Sequence, residues 1–172
     1  MHIVIAAVGI LTAVYIFVLR ARNAAEMTSE LMGMADDVKA AARRLGFRRV
    51  KAAHPVESVE DPNTAAATVA IAYLELHGLP TEEKKNALLR ALQSELEVSL
   101  KDAEELVVLG RWLMTECQGP EPAIGRASRR LYKLTGGDIG PLLKILTEVS
   151  EEPLSDKQRD ALDDIRNAFR IR

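Results

Sequence analysis

The chain has 172 residues and a formal net charge of −2, and its single cysteine, Cys117, excludes an intrachain disulfide and a cluster of thiolate metal ligands. Aromatic residues make up only 4% of the sequence, whereas Ala, Leu, Glu, Lys and Arg, which favour helices, dominate it. The composition therefore predicts an all-α fold, and the length allows one domain of ordinary size beside a short N-terminal segment.

The first predicted element is an apolar helix at residues 3–19, which contain no charged residue and are followed at once by Arg20 and Arg22. A helix of this length spans roughly 25 Å, and the two preceding residues extend it toward the roughly 30 Å of a bilayer core. A buried core helix usually keeps a polar stripe, and a signal peptide carries its positive charge before the apolar run, so both alternatives fit less well. We therefore expect residues 1–22 to form a single transmembrane anchor in membrane lipid.

Charge is distributed unevenly along the chain. Residues 20–51 hold eight basic and four acidic residues, whereas residues 52–172 hold 15 basic and 21 acidic residues. Basic residues that directly follow a transmembrane helix, with none before it, favour an N-terminus outside the cell and a cytoplasmic C-terminal domain.

Residues 23–51 are predicted to form an amphipathic, basic connecting helix together with the basic cluster at its C-terminal end. Apolar residues recur at three- and four-residue spacing up to Leu45, so the helix itself is expected to end at Gly46. Two interpretations remain open. The helix lies on anionic lipid headgroups, or it packs on a partner or its own domain while its arginines complement the helix dipole. Nucleic acid is not expected as a partner, because the basic run is short and the following domain is acidic. The predicted membrane or partner contacts are Arg20, Arg22, Arg43, Arg44, Arg48, Arg49 and Trp112.

The remaining sequence predicts a linker at residues 52–63 and then a compact bundle of six helices. Two prolines and the lack of periodicity indicate the linker, and Asp61 is the expected N-cap of the next helix, with Pro62 in its first turn. Short connections predict that consecutive helices are antiparallel neighbours. The expected helices are 62–77, 82–96, 100–117, 122–134, one capped by Asp138 that runs to 149, and 156–170.

Two segments of the bundle resemble each other at an offset of 74 residues. They are LELHGLPTEEKKNALLRAL, at 74–92, and LTEVSEEPLSDKQRDALDDIRNAF, at 146–169. Each contains a helix end, a proline-containing turn, a Thr or Ser cap and a new helix. Together with ELEVSLKDAEELVVLGRWL between them, they make residues 64–172 resemble the tellurite-resistance protein B (TerB-like) superfamily, in which an acidic turn of the form D-G-x-hydrophobic-[ST/P]-x-E-[ER] occurs twice.

The resemblance implies a TerB-like helical bundle behind an N-terminal anchor. Family members are linked to envelope stress and tellurite resistance alongside an integral membrane partner, and a membrane-anchored J-domain co-chaperone carries a similar domain, although this chain has no His-Pro-Asp motif. We therefore expect a non-enzymatic interaction or scaffold module at the cytoplasmic face of the bacterial inner membrane, with membrane proteins as partners. The alternative is an accessory subunit of a larger inner-membrane complex. A catalytic site is not expected, because one cysteine and one histidine in the helical bundle offer little acid–base chemistry.

The acidic turns of the family are the natural place to look for a divalent cation, which prefers several carboxylate or carbonyl oxygens. This chain departs from the pattern: His77 replaces the first Asp, and the second turn has Glu-Glu-Pro without Asp or Gly. The candidate ligands are Glu75, Glu82, Glu83, Glu148, Glu151, Glu152 and Asp156. The favoured interpretation is that these acids stabilise helix N-termini and are otherwise solvated, so no cofactor is expected.

Two single residues complete the set of candidates. Cys117 lies on an apolar stripe without an acid–base partner near it in sequence, which predicts a buried structural thiol. Trp112 lies one position away from the same stripe and is expected at the rim of the core, with a partner interface as the alternative.

Overall fold

The protein is described here from a computed structural model that covers residues 35–50, 53–150 and 153–170. These residues form helices and no strand, which confirms the all-α prediction for this part of the chain. A compact unit runs from Val38 to Arg172. Helix α1 (residues 35–44) begins just before this unit. The other helices are a 3-10 helix Pro55–Ser58, α2 (Pro62–Leu74), α3 (Glu82–Leu96), α4 (Leu100–Glu116), α5 (Pro120–Thr135), α6 (Gly140–Val149) and α7 (Asp156–Ala168).

Helix α2 is the centre of the bundle and is buried on every side. All residues from Thr64 to Leu74 are buried, because the sequence has no charged side chain between Asp61 and Glu75. A helix that is apolar all round belongs in the interior, so burial is not confined to the residues expected from spacing, which are Val69, Ala72, Tyr73 and Leu76. A short 3-10 turn, Glu75–His77, follows α2, so the α-helix predicted at 62–77 ends at Leu74.

The most extensive packing joins helices that are not consecutive in sequence. Helix α2 packs chiefly on α4 and α5, α3 packs on α6, and α5 packs on α7. Short connections had predicted that consecutive helices pack together. The surface of α2 is apolar on all sides, so several helices must pack on it to bury that surface, whatever their order in the chain. A compact helical bundle results, as predicted.

Most of the predicted helix caps are present. Asp61 accepts hydrogen bonds from the backbone amides of Asn63 and Thr64. Ser155, the predicted cap in the second of the two similar segments, forms a capping box with Gln158. The prediction was wrong for α6: Asp138 lies one residue before the N-cap position and accepts instead from the amide of Gly140, at 3.0 Å.

Two further helix details differ from the prediction. Helix α5 begins at Pro120, two residues earlier than expected, because proline is well suited to the first helical turn. In α6, apolar spacing predicted that Leu143 points inward with Ile139, Leu142 and Leu146, but Leu143 is exposed and Ile145 is buried instead. The buried residues of α6 follow the i, i+3, i+4, i+7 spacing of one helix face, and Leu143 lies off that face.

The described part of the predicted linker, residues 53–61, packs on the bundle. Val56 and Val59 are buried in the core, and Arg130 of α5 donates a hydrogen bond from Nε to the carbonyl oxygen of Val59. Glu57 also lies 3.6 Å from Arg126 of α5 in an ion pair. The compact unit therefore extends well to the N-terminal side of α2.

Within the described ranges, no helix is both long and apolar enough to span a bilayer. The predicted anchor at 1–22 lies outside these ranges, as does the first part of the connecting helix, residues 23–34. The prediction of a transmembrane anchor therefore stays a prediction.

Helices α2 and α4 pack closely at Gly110. A Cβ atom at this position would lie 2.5 Å from Cδ1 of Ile71 and 3.3 Å from the backbone Cα of Thr68. Ile71 is itself fully buried, so its side chain has little room to move. Gly110 therefore sets how closely the two helices approach.

We expect Gly110→Ala to lower the free energy of unfolding by about 1–3 kcal/mol, because the added methyl group overpacks the contact with α2. Gly125→Ala in α5 is the matched control, since its Cβ would meet only the flexible side chain of Arg129, at 3.4 Å. The control should be neutral or stabilising by up to about 1 kcal/mol through helix propensity. Urea denaturation followed by circular dichroism measures both, and equal shifts in the two variants would contradict the packing role of Gly110.

A second expectation concerns where the domain begins. A chain beginning at Val38 should be more stable than one beginning at Pro62 by about 3–6 kcal/mol, because the shorter chain loses two buried valines, Val56 and Val59. The two unfolding free energies should be compared under identical conditions. Equal stabilities would mean that residues 38–59 contribute nothing to the core.

Candidate interaction surface

Residues 38–50, VKAAARRLGFRRV, are called the basic segment here because they contain five basic residues and no acidic residue. Helix α1 ends within it in a Schellman motif. The amide of Phe47 donates to the carbonyl of Ala42 at 2.8 Å, and the amide of Gly46 donates to that of Arg43 at 3.3 Å. Gly46 has a φ of +68°, which favours glycine, so the predicted helix end at Gly46 agrees with the structure.

This helix end directs Phe47 onto α4. The rings of Phe47 and Trp112 make an edge-to-face contact with centroids 5.8 Å apart. Trp112 is half-buried against the core, as expected for a residue at its rim. Whether Trp112 also contacts a partner stays a prediction. Ala41, one turn earlier, is buried in the same core.

Two arginines of the basic segment form ion pairs with α4. Arg44 pairs with Glu105, and Arg49 lies 3.7 Å from Glu116. His54 reinforces the same end of α4: its Nδ1 accepts from the amide of Val56, so Nε2 carries the proton and donates to the carbonyl of Glu116 at 3.2 Å. That carbonyl lies at a helix C-terminus, where a partner for it is otherwise lacking.

The remaining basic groups point outward from the domain. Arg43 and Arg48 are exposed, and neither makes an ion pair with any residue that the structure describes. The side chains of Arg44 and Arg49 are 45% and 58% exposed despite their ion pairs. Residues 38–50 of the connecting helix thus pack on their own domain, as one of the two interpretations held, and they also carry exposed positive charge that a partner could contact. Arg20 and Arg22 lie outside the described residues.

A shallow groove of about 430 Å³ lies beside the basic segment. Apolar side chains and two carboxylates line it. The Asp61 carboxylate is already occupied by the amides at the start of α2 and by the hydroxyl of Thr64. The lining residues are Leu45, Gly46, Phe47, Val59, Glu60, Asp61, Pro62 and Thr64.

The two similar turns of the sequence meet in the structure. The Tyr73 hydroxyl lies 3.1 Å from Oγ of Ser150, and Nε2 of His77 lies 2.6 Å from Oγ of Ser155. Lys157 also donates to the carbonyl of Leu76, at 3.4 Å. Burial raises the pKa of Tyr73, and its hydrogen bond to Ser150 opposes this, so the hydroxyl stays protonated at neutral pH. These contacts have a structural explanation, because they join the end of α2 and the first turn to the end of α6 and the start of α7.

The candidate cation ligands do not converge in the part of the chain that the structure describes, which holds no cluster of three or more metal-ligating side chains. Glu82 and Asp156 each form an ion pair within their own helix, with Lys85 and Arg159. Glu83 and Glu148 are exposed on the surface, and Glu151 and Glu152 lie outside the described residues.

Glu75 has a different role from the one considered for it. Its Oε1 accepts hydrogen bonds from Nε and Nη2 of Arg111, at 2.9 and 2.7 Å, and its side chain is only 10% exposed. This pair joins the end of α2 to α4. Nothing in the sequence indicated it, because the two residues are 36 positions apart.

Cys117 is a buried free thiol, as predicted. Burial raises the pKa of the thiol; the Arg126 guanidinium acts against this, and the Glu116 carboxylate adds to it. A thiol with a raised pKa is protonated at neutral pH and is a poor nucleophile. Its environment is therefore that of a core residue.

We expect Glu75→Gln to lower the free energy of unfolding by about 1–3 kcal/mol, because it leaves a partly buried guanidinium with a weaker acceptor. The loss should be the same in CaCl₂ and in EDTA, since Arg111 occupies the carboxylate. Glu83→Gln, at an exposed acid of the same turn, is the control and should change stability by less than about 1 kcal/mol. If calcium raises the melting temperature of the unaltered chain and Glu75→Gln abolishes that rise, Glu75 is a metal ligand.

Comparisons with protein-family models, with curated proteins and with solved structures found no match. The resemblance to TerB-like proteins therefore stays a prediction that depends on the two turns and the helix entry between them. Support for a function accordingly comes from the sequence patterns and from the contacts of the described residues.

Proposed function

We propose that the protein is a membrane-anchored, non-enzymatic interaction module that holds protein partners at the cytoplasmic face of the bacterial inner membrane. The apolar run at residues 3–19, the basic residues that follow it and the TerB-like pattern of residues 64–172 support the proposal. The observation that carries it is that the basic segment is fastened to α4 through Phe47, Arg44 and Arg49.

This attachment limits the length of the tether. The compact unit begins at Val38, so 15 residues, 23–37, separate it from the predicted anchor. Even fully extended, such a segment reaches only about 55 Å. A partner bound to the domain would stay close to the membrane, which gives a membrane-bound partner a high effective concentration.

Partner binding is proposed for the helical domain, because it presents exposed apolar residues beside charged ones. Val50 and Leu79 are the most exposed large apolar residues among those described, at 55% and 91%. Leu79 lies in the first TerB-like turn, directly after Gly78. Burial of an exposed leucine side chain against a partner would favour binding through the hydrophobic effect.

The test is affinity purification in mild detergent, with mass spectrometry of the proteins that accompany the bait. The full chain and a chain beginning at Val38 should retain the same stoichiometric partner, because the helical domain supplies the contacts. Residues 1–37 fused to an unrelated soluble protein are the matched control and should retain none.

A different pattern would favour the alternative function. If the partner accompanies the full chain and the 1–37 fusion but not the chain from Val38, the N-terminal segment makes the contacts. The protein would then be an accessory subunit held in an inner-membrane complex by that segment, and the interaction-module proposal would be wrong.

A further inference from the structure

We propose that the basic segment, residues 38–50, binds the headgroups of anionic phospholipids through Arg43 and Arg48. This inference rests on the proposed membrane anchoring and adds a second, electrostatic contact to it. The anchor would attach the domain to the bilayer, and the arginine contact would set the orientation of the domain on it.

The charge balance of the segment supports a polyanionic surface as the partner. Of its arginines, Arg44 and Arg49 are neutralised by Glu105 and Glu116. Arg43 and Arg48 are exposed, and the described residues include no acidic partner for either. Two full positive charges therefore face solvent from a segment without acidic residues.

The geometry of the segment reduces the cost of binding. The Schellman motif at Gly46 and the ring contact between Phe47 and Trp112 fix the backbone between the two arginines. The amide of Val50 is held in turn by Oγ of Ser58, at 3.2 Å. Little backbone entropy is lost when a preorganised segment binds, and the exposed Val50 side chain adds an apolar contact at headgroup level.

Headgroup phosphate fits these groups better than the other polyanions. Guanidinium groups bind phosphate oxygens in a bidentate manner. Nucleic acid would also meet residues 52–172, which carry 21 acidic and 15 basic residues, whereas a planar bilayer surface can meet the segment alone. Glu60 and Asp61 line the neighbouring groove, so the lipid contact must lie on the arginine side of the segment.

The expected strength suits a tethered domain. Each basic residue near an anionic surface strengthens binding by about fivefold, so two arginines together strengthen it by about 25-fold. Such a contact recruits a free protein only weakly, but it is sufficient to orient a domain that an anchor already keeps at the membrane.

The test uses the full chain reconstituted in vesicles of phosphatidylcholine, with or without phosphatidylglycerol. Trp112 is the only tryptophan of the sequence and contacts Phe47 in the basic segment, so its fluorescence reports on that segment. Phosphatidylcholine spin-labelled on the headgroup is the quencher. We expect phosphatidylglycerol at about one third of the lipid to increase quenching of Trp112 at least twofold, and 0.5 M NaCl to reverse the increase.

Substitutions identify the residues responsible. Arg43→Glu with Arg48→Glu should abolish the increase, whereas Arg90→Glu with Lys133→Glu should preserve it. The control pair changes the total charge equally and alters exposed residues of α3 and α5 that make no ion pair with any described residue. Arg43→Gln with Arg48→Gln, which should reduce the increase, serves if the glutamate variant fails to fold.

The outcomes separate this inference from the proposed function. Flotation with pure phosphatidylcholine vesicles tests the anchor. If the chain does not float, it has no membrane anchor and the proposed function is wrong. Two results would contradict the lipid contact in a chain that does float. Either phosphatidylglycerol does not change the quenching of Trp112, or it changes the quenching equally in both double variants. Both results leave the proposed anchor unaffected. In that case Arg43 and Arg48 are available to an acidic protein surface.

Discussion

The structure depends on the close packing of one apolar helix. Helix α2 is built largely from Ala, Thr and Val, and these small or β-branched side chains let α4 and α5 approach its backbone from several directions. Gly110 leaves room for α4 to approach α2 closely at Thr68 and Ile71. A fully desolvated helix contributes buried apolar area on its whole circumference, so each neighbouring helix gains stability by docking on it.

The same core extends to the segment that leads into the domain. Ala41, Val56 and Val59 are buried, and Arg44 and Arg49 form ion pairs with Glu105 and Glu116 of α4. Exposed ion pairs stabilise a fold only slightly, so the buried side chains hold the segment and the arginines mainly select its position. The four candidate arginines that the structure describes thus divide into two that pair with α4 and two, Arg43 and Arg48, that are exposed.

The acidic residues of the two similar turns suggested a cation site, but in the structure several of them form ion pairs. Glu75 binds Arg111, Glu82 binds Lys85 and Asp156 binds Arg159. A carboxylate already paired with a guanidinium or ammonium group has less of its charge available to a metal ion. The turns instead contact each other through His77 and Ser155, which ties α7 to the end of α2.

The sequence by itself determined the helical class, the existence of all six helices from residue 62 onward, most of their caps, the helix end at Gly46 and the burial of Cys117. These features depend on local patterns: helix propensity, N-cap side chains, glycine in a left-handed conformation and apolar spacing. Tertiary structure alone decided which helices pack together, that residues 53–61 join the core, and that Glu75 binds Arg111. Such contacts join residues far apart in the chain, and their energies depend on how completely each surface is removed from water, which no local pattern records.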